Sequence, residues 1–155
     1  MRDQYWLSRA VELAVDNVTA GGGPFGAMIV RGTEALSTGV NRVTRDNDPT
    51  AHAEVVAIRE ACRSIGDFSL EGCVLFTSCE PCPLCLSSAL WARVDRVVYA
   101  ADRDDAARGG FDDREFYELF GKEREEWPTK IDELRLLSAV APFEAWMRNT
   151  DRTAY

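Results

Sequence analysis

The chain has 155 residues, which fits one domain of ordinary size. Hydrophobic residues make up 46% and charged residues 28%, and no apolar run approaches the roughly 18 residues that a membrane span needs. The formal net charge is −8, whereas nucleic-acid binders carry a basic stripe that neutralises phosphates. We therefore expect a single globular domain over residues 1–155 that acts on a small neutral molecule rather than on nucleic acid or a membrane.

The spacing of apolar residues and the positions of Gly and Pro predict helices and strands that alternate through the middle of the chain. The predicted elements are, in order, a helix over residues 3–19, a break at AGGGPFG, a hairpin of AMIVR and ALSTGVN, a turn at DNDPT, a helix from about Ala51 to Ile65, a strand CVLFTS, a helix from Cys82 to Ala92, a strand RVDRVVYAA, a loop or short helix DDAARGGFDD, a helix REFYELFG, a further strand or helix ELRLLSAVA, and a final helix PFEAWMRN.

This order predicts an α/β fold, because alternating strands and helices form a sheet that is covered by helices on both faces. We expect a three-layer α/β/α sandwich with a central mixed sheet of about five strands. The N-terminus has no basic segment leading into an apolar core, so we expect no signal peptide and a cytoplasmic protein.

The cysteines are unevenly distributed. Five are present, and three of them, Cys79, Cys82 and Cys85, lie within the stretch TSCEPCPLC. An odd number of cysteines in a cytoplasmic chain argues against a disulfide framework and favours metal binding or redox chemistry. Cys62 and Cys73 fall in a predicted helix and strand, where we expect core positions.

Two short motifs at predicted helix starts supply the groups of a zinc site. Cys82 and Cys85 share one face of a first helical turn, whose free N–H groups favour thiolates. His52, the only histidine in the sequence, would complete three ligands and leave a fourth position for water, as in catalytic zinc sites. Glu54 points away from His52 on a regular helix, so it is free to move protons. H-x-E followed by P-C-x-x-C is typical of zinc deaminases.

Two other interpretations remain open at this point. Cys82-Pro-Leu-Cys85 is also compatible with a redox dithiol at a strand-to-helix junction, although that leaves His52 and Glu54 without a role. Alternatively, Cys79 would be a fourth ligand and close a structural zinc site. We expect Cys79 instead to be a buried small hydrophobe or part of a pocket wall.

Three further residues have both a structural and a functional interpretation. Phe25 follows three glycines, so its ring either joins the core or is exposed for stacking on a planar base. Asn41 ends a strand, where its amide either forms a turn or hydrogen-bonds a base edge. Asp113 follows GGF and is compatible with a simple helix cap.

With these motifs in hand, the chain resembles the cytidine deaminase superfamily, and within it the bacterial guanine deaminases. The resemblance covers nearly the whole chain. It includes GPFGAMIV, NDPTAHAE, ALWARVDRVVYAA, GFDD and the aromatic C-terminus at Tyr155.

The resemblance implies a cytidine deaminase-like fold and the zinc-dependent hydrolysis of guanine to xanthine and ammonia. One Zn²⁺ per chain would be held by His52, Cys82 and Cys85 with water as the fourth ligand, and Glu54 and Asp113 would be catalytic. The residues that the resemblance assigns to substrate binding are Phe25, Asn41, Ala53, Trp91 and Tyr155. It also implies a homodimer in which residues of about 142–155 cross to the partner and place Tyr155 over the base.

Alternative substrates are cytosine, ammeline and guanosine. A tRNA adenosine deaminase is a weaker alternative, because this acidic chain lacks the basic surface expected for RNA binding. Leu84 and the pair Ser87-Ser88 depart from the usual residues beside the second cysteine of the motif, which leaves substrate preference less fixed than reaction type.

Overall fold

The computed structural model, which describes residues 2–155, has seven α-helices, four β-strands and one 3-10 turn. The helices are α1 (Arg2–Thr19), α2 (Val43–Asp46), α3 (Ala53–Ile65), α4 (Pro83–Trp91), α5 (Arg103–Arg108), α6 (Asp113–Phe120) and α7 (Ala141–Arg148). The strands are β1 (Gly26–Arg31), β2 (Glu34–Val40), β3 (Cys73–Cys79) and β4 (Arg96–Ala101), and the 3-10 turn covers Arg124–Glu126. The backbone forms two bodies, one up to Glu118 and one over Leu119–Tyr155.

The four strands form one mixed sheet in the order β2-β1-β3-β4. β1 runs antiparallel to both β2 and β3, whereas β3 and β4 are parallel. β3 reaches β4 through α4, the helical crossover that parallel neighbours require. The carboxyl end of β3 and the start of α4 therefore lie close together, and the cysteine motif lies between them.

Both faces of the sheet are covered, which confirms the predicted three-layer sandwich. Successive side chains of a strand point to opposite faces. Met28 and Val30 of β1 pack on one face with partly buried residues of α1. Ile29 packs on the other face with Ala57 of α3 and Ala89 of α4.

Two glycines bring helices close to the strands. A Cβ at Gly26 would lie 2.4 Å from the carbonyl oxygen of Ala10 in α1. A Cβ at Gly39 would lie 2.2 Å from the carbonyl oxygen of Ala53, at the start of α3. The absence of a side chain at Gly39 therefore sets the position of the helix that begins next to His52.

The prediction of about five strands is wrong by one, since the sheet over residues 2–155 has four. ELRLLSAVA, residues 133–141, forms neither a strand nor a helix before α7 begins at Ala141. A strand needs a neighbour with which to exchange backbone hydrogen bonds. The backbone hydrogen bonds of this stretch are local, among them those from Ala139 N–H to the Leu136 oxygen and from Ala141 N–H to the Ser138 oxygen.

The remaining predicted helices are found within a few residues of their predicted bounds, and α5 takes the helical option of its stretch. The short helix α2 was not predicted. Within residues 2–155, no helix has both the length and the apolar character that crossing a bilayer requires.

Candidate metal centre and active site

The N-termini of α3 and α4 carry the metal-binding side chains. His52 is the N-cap residue of α3 and Cys82 is the N-cap residue of α4, both in extended backbone conformation. Pro83 occupies the first turn of α4, where its missing N–H costs no helical hydrogen bond, and Cys85 follows in the same turn. The two helix starts therefore bring one imidazole and two thiols together.

The spacing of these three groups fits a tetrahedral zinc ion. His52 Nδ1 lies 3.5 Å from Cys82 Sγ and 3.4 Å from Cys85 Sγ, and the three ligand atoms lie within 4.8 Å of one another. An ion about 2.3 Å from sulfur and about 2.0 Å from nitrogen separates those atoms by about 3.5 Å in tetrahedral geometry. The residues present therefore fit zinc.

The two thiols differ in acidity because each affects the other and their surroundings differ. A hydrogen bond from Cys85, reinforced by His52, lowers the pKa of Cys82 to about 4. The same hydrogen bond and burial raise the pKa of Cys85. The lowered pKa of Cys82 favours the thiolate, which is the form that binds a metal cation, and Cys85 would lose its proton on binding the same ion.

Glu54 is buried beside the metal-binding groups and is not one of them. Its Oε1 accepts a hydrogen bond of 2.7 Å from the hydroxyl of Thr77, and its Oε2 accepts one of 3.2 Å from Cys85 Sγ. Burial raises the pKa of Glu54, and the hydrogen bond from Thr77 opposes that shift. The carboxylate is therefore held in a fixed orientation and is disposed to take up a proton.

A cavity of about 570 Å³ opens onto this centre, a size suited to a small ligand. Its apolar wall includes Phe25, whose ring meets that of Phe111 edge to face at 4.8 Å. Asp113 contributes a second carboxylate, and partial burial and the nearby Cys82 raise its pKa. The residues from the sequence analysis that line the cavity are Phe25, Asn41, His52, Glu54, Cys82, Cys85 and Asp113.

Three other residues assigned to substrate binding do not line this cavity. Ala53 is fully buried at the start of α3. Trp91 ends α4, is 63% exposed, and borders a separate shallow depression near Arg93. Tyr155 lies in the C-terminal body and is exposed. Leu84 and the pair Ser87-Ser88, which depart from the usual motif, are not part of the lining either.

The loop that carries Cys82 is braced by neighbouring elements. Arg103 donates to Glu80 from its backbone N–H and its guanidinium group. The guanidinium also lies 3.8 Å from the centre of the Tyr117 ring, and Tyr117 donates its hydroxyl proton to the Pro81 carbonyl oxygen. This network connects the zinc-binding loop to α6, which begins at Asp113.

Cys79 is separate from the group of possible ligands. Its sulfur lies 3.7 Å from the carbonyl oxygen of Asp102, and the side chain is buried. Burial raises the pKa of Cys79 to about 12, which keeps the thiol neutral. The candidate metal site among residues 2–155 contains His52, Cys82 and Cys85 without Cys79, and all five cysteines are free of disulfides.

Sequence reasoning missed two polar residues that hold the site. Thr77 is a fully buried hydroxyl near the end of β3, after the apolar run of residues 73–76 and two residues before Cys79. Asn17 is the polar member of the buried stripe of α1, with Ala10 and Ala14. A polar side chain on a face that is otherwise apolar is the signal that identifies such residues.

The fold and the site together define a protein of the mononuclear zinc hydrolase type: three protein ligands and an adjacent carboxylate that is not a ligand. Residues 1–101 match the family model described as the cytidine and deoxycytidylate deaminase zinc-binding region. The chain belongs to this deaminase family.

Relatives within the family differ in how much of the chain they match. The guanine deaminase of Bacillus subtilis is 47% identical over 100% of both chains, and its crystal structure superposes with a TM-score of 0.95 over 98% of each. A guanine deaminase structure from Nitrosomonas europaea has 33% identity and a TM-score of 0.67, covering 70% of this chain and 63% of that chain. A tRNA-specific adenosine deaminase of Buchnera aphidicola is 36% identical over 71% of this chain and 73% of its own.

Proposed function

We propose that this chain catalyses the hydrolytic deamination of guanine to xanthine and ammonia. The observation that carries the proposal is the cavity, which joins a three-ligand metal centre, the unligated carboxylate of Glu54, and the second carboxylate of Asp113. The full-length similarity to a guanine deaminase supports the choice of base. Water adds to the amino-bearing ring carbon, the carbon–nitrogen bond breaks, and ammonia leaves.

Glu54 carries the protons of this reaction. When bound, zinc supplies a Lewis acid that acidifies a water ligand and stabilises developing negative charge. Glu54 accepts a proton from the attacking water and delivers it to the adjacent ring nitrogen. Glu54 then takes the second proton of the water, from the hydroxyl now on the ring carbon, and delivers it to the amino nitrogen, so that the carbonyl forms as the carbon–nitrogen bond breaks and ammonia departs. Thr77 keeps the carboxylate oriented through these transfers by its hydrogen bond to Oε1.

Asp113 and Asn41 recognise opposite kinds of hydrogen-bonding group. An ionised Asp113 accepts from the N–H donors that the amidine edge of guanine offers. The Oδ1 of Asn41 already accepts a hydrogen bond of 3.1 Å from Val43 N–H, so its amide nitrogen is left to donate to a ring acceptor of the base. Phe25 stacks against the base and is backed by Phe111. This donor and acceptor pattern favours guanine over bases that lack the amidine edge.

The proposal extends to a homodimer that exchanges C-terminal segments. Within the chain, Phe143 and Met147 of α7 are 70% and 64% exposed, and an apolar surface of this kind favours a protein partner. α4 likewise exposes Leu90 and Trp91. In the proposed dimer, residues 142–155 reach the cavity of the second copy, and Tyr155 covers the base bound there.

An ammonia-release assay of the zinc-loaded protein tests the substrate. The panel contains guanine, cytosine, adenine, ammeline and guanosine at equal concentrations. The proposal expects the highest kcat/KM for guanine. A higher value for any other member would overturn the assignment to guanine, and no ammonia from any member would overturn the deaminase assignment. A transfer RNA is added as a further substrate, and the net charge of −8 predicts no inosine in it.

A further inference from the structure

Asn17 is a buried side-chain amide that the proposed chemistry does not use. It lies in the last turn of α1 and is 4% exposed. Burying an amide costs free energy unless its polar atoms are hydrogen-bonded. The partners of this amide therefore show what it stabilises.

Both N–H donors of Asn17 are used on the cavity wall. Nδ2 donates to the carbonyl oxygen of Gly23 at 2.8 Å and to the carbonyl oxygen of Asn41 at 2.9 Å. Gly23 and Asn41 both line the cavity. The Asn17 oxygen accepts a hydrogen bond of 3.4 Å from Arg45 Nη2. Arg45 lies in α2, the short helix that follows Asn41. The Asn17 side chain thus connects the glycine-rich loop to Asn41, which follows the end of β2 and lies 24 positions after Asn17.

The backbone of Asn41 is held from both sides. Its carbonyl oxygen accepts from Asn17, and its N–H donates to the Phe25 carbonyl oxygen at 3.2 Å. Its side-chain oxygen is occupied by Val43 N–H. These bonds fix the direction of the Asn41 amide nitrogen, the group that we propose donates a hydrogen bond to the base.

Gly22 provides the space that Asn17 occupies. A Cβ at Gly22 would lie 2.5 Å from Asn17 Nδ2, which is closer than side-chain atoms approach. The Gly22 N–H also donates to the backbone oxygen of Asn17 at 2.8 Å. The glycine motif is therefore explained in part by close packing around this amide.

We propose that Asn17 is a positioning residue that sets the orientation of Asn41 and of the glycine-rich loop toward the bound base. The inference rests on the proposed function for its kinetic consequence. It predicts that loss of the Asn17 donors weakens the hold on the base and leaves the metal centre and the proton transfers of Glu54 in place.

The test variant is Asn17→Asp, which keeps the shape of the side chain and removes both donors. For the base that the parental enzyme deaminates fastest, we expect KM to rise about tenfold, with kcat within about threefold and zinc content unchanged. The matched control is Ser37→Ala. It removes a side-chain to backbone bond, from Ser37 Oγ to the Ala57 oxygen at 2.6 Å, in the same body and away from the cavity. The control should lower the melting temperature without changing KM.

A double-mutant cycle separates positioning from a general loss of stability. On an Asn41→Ala background the Asn17→Asp change should raise KM less than about threefold, because the group that Asn17 orients is gone. A full tenfold rise on that background would contradict action through Asn41. Gly22→Ala displaces the amide without changing Asn17 and should reproduce the KM effect, so it replaces Asn17→Asp if that variant does not fold.

Amide hydrogen exchange provides a readout that does not depend on activity. In the zinc-loaded protein, Asn17→Asp should speed exchange of the Gly22 and Asn41 amides at least about fivefold, whereas Ser37→Ala should not. If exchange and KM both stay at parental values, or both change equally in the control, the proposal is wrong. If the parental chain deaminates no base, the proposed function fails, and the exchange result alone decides whether Asn17 holds the loop.

Discussion

The body up to Glu118 and the segment over Leu119–Tyr155 differ in how far their apolar side chains are buried. In the first, residues such as Ile29 and Leu75 are fully buried. In the second, every side chain is at least partly exposed, and Phe143 and Tyr155 are 70% and 77% exposed. The first body buries an apolar core within one chain, although α4 exposes Leu90 and Trp91, whereas the second exposes its apolar side chains without such a core.

This difference distinguishes the body that holds the catalytic groups from the segment that we propose covers the base in a second copy. The metal ligands and Glu54 are oriented by contacts inside the first body, among them the hydrogen bond from Thr77. The C-terminal segment exposes large apolar side chains, and exposed apolar patches often mark interaction sites. We therefore expect loss of Glu54 to affect turnover, and changes in the C-terminal segment to affect substrate affinity.

The largest expected effect is that of Glu54→Gln, which keeps the size of the side chain and removes its capacity to accept a proton. We expect kcat for guanine to fall by about 10²–10⁴, with zinc content unchanged. The matched control is Glu60→Gln on the same helix, an exposed residue paired with Arg63, which should keep the parental rate. Parental turnover by Glu54→Gln would remove this residue from the mechanism.

Asp113→Asn tests recognition within the first body. Replacing the acceptor by an amide leaves an N–H donor of guanine opposed by a donor, and we expect kcat/KM to fall about 10- to 100-fold. Asp112→Asn is the control, because its exposed side chain does not line the cavity. The two variants are compared by steady-state ammonia release. Equal activity of the two would contradict the role of Asp113.

Tyr155→Ala tests the C-terminal segment. Loss of one ring contact to the base should raise KM several-fold, up to about tenfold, with kcat little changed. Coexpression with Glu54→Gln then tests exchange between copies. If Tyr155 acts in the partner's cavity, a mixed dimer contains one complete site, and a fraction with parental KM appears. Absence of that fraction would show that the segment does not act in the partner.

The smallest expected effect is that of Cys79→Ser. The sulfur of Cys79 faces the carbonyl oxygen of Asp102 and lies outside the group of candidate ligands, so it does not compete for the metal. We expect the zinc content to be unchanged and kcat within about twofold, because a hydroxyl can donate to the same Asp102 oxygen. Cys82→Ser, in contrast, should lose zinc. Metal analysis of the purified variants distinguishes the two.

The parts of the site that depend on local spacing could be predicted from sequence. His52 and Cys82 lie at helix starts that capping residues and prolines indicate. Each helix start is predicted from its own motif, without knowledge of the distance between the two motifs in space. Thr77 could not be assigned to Glu54, since 23 positions separate them and only the folded sheet brings them together. The contacts of Asn17 with Asn41 depend on tertiary structure in the same way.

The fold shows the same distinction between features that local sequence predicts and features that depend on tertiary structure. Periodicity predicted the four observed strands and the helices other than α2 and α5, because each has its own apolar pattern. ELRLLSAVA has such a pattern too, but a strand forms only beside another strand, and the sequence does not say whether one is available. Trp91 likewise follows a motif residue closely in sequence, yet the direction of α4 places it outside the cavity lining.

The central claim is a zinc ion held by one imidazole and two thiolates, with one position open to solvent. X-ray absorption at the zinc edge of the purified protein measures this directly. We expect two sulfur ligands and two nitrogen or oxygen ligands, with the number of sulfur ligands unchanged in Cys79→Ser. Three sulfur ligands in the parental protein, falling to two in that variant, would contradict it.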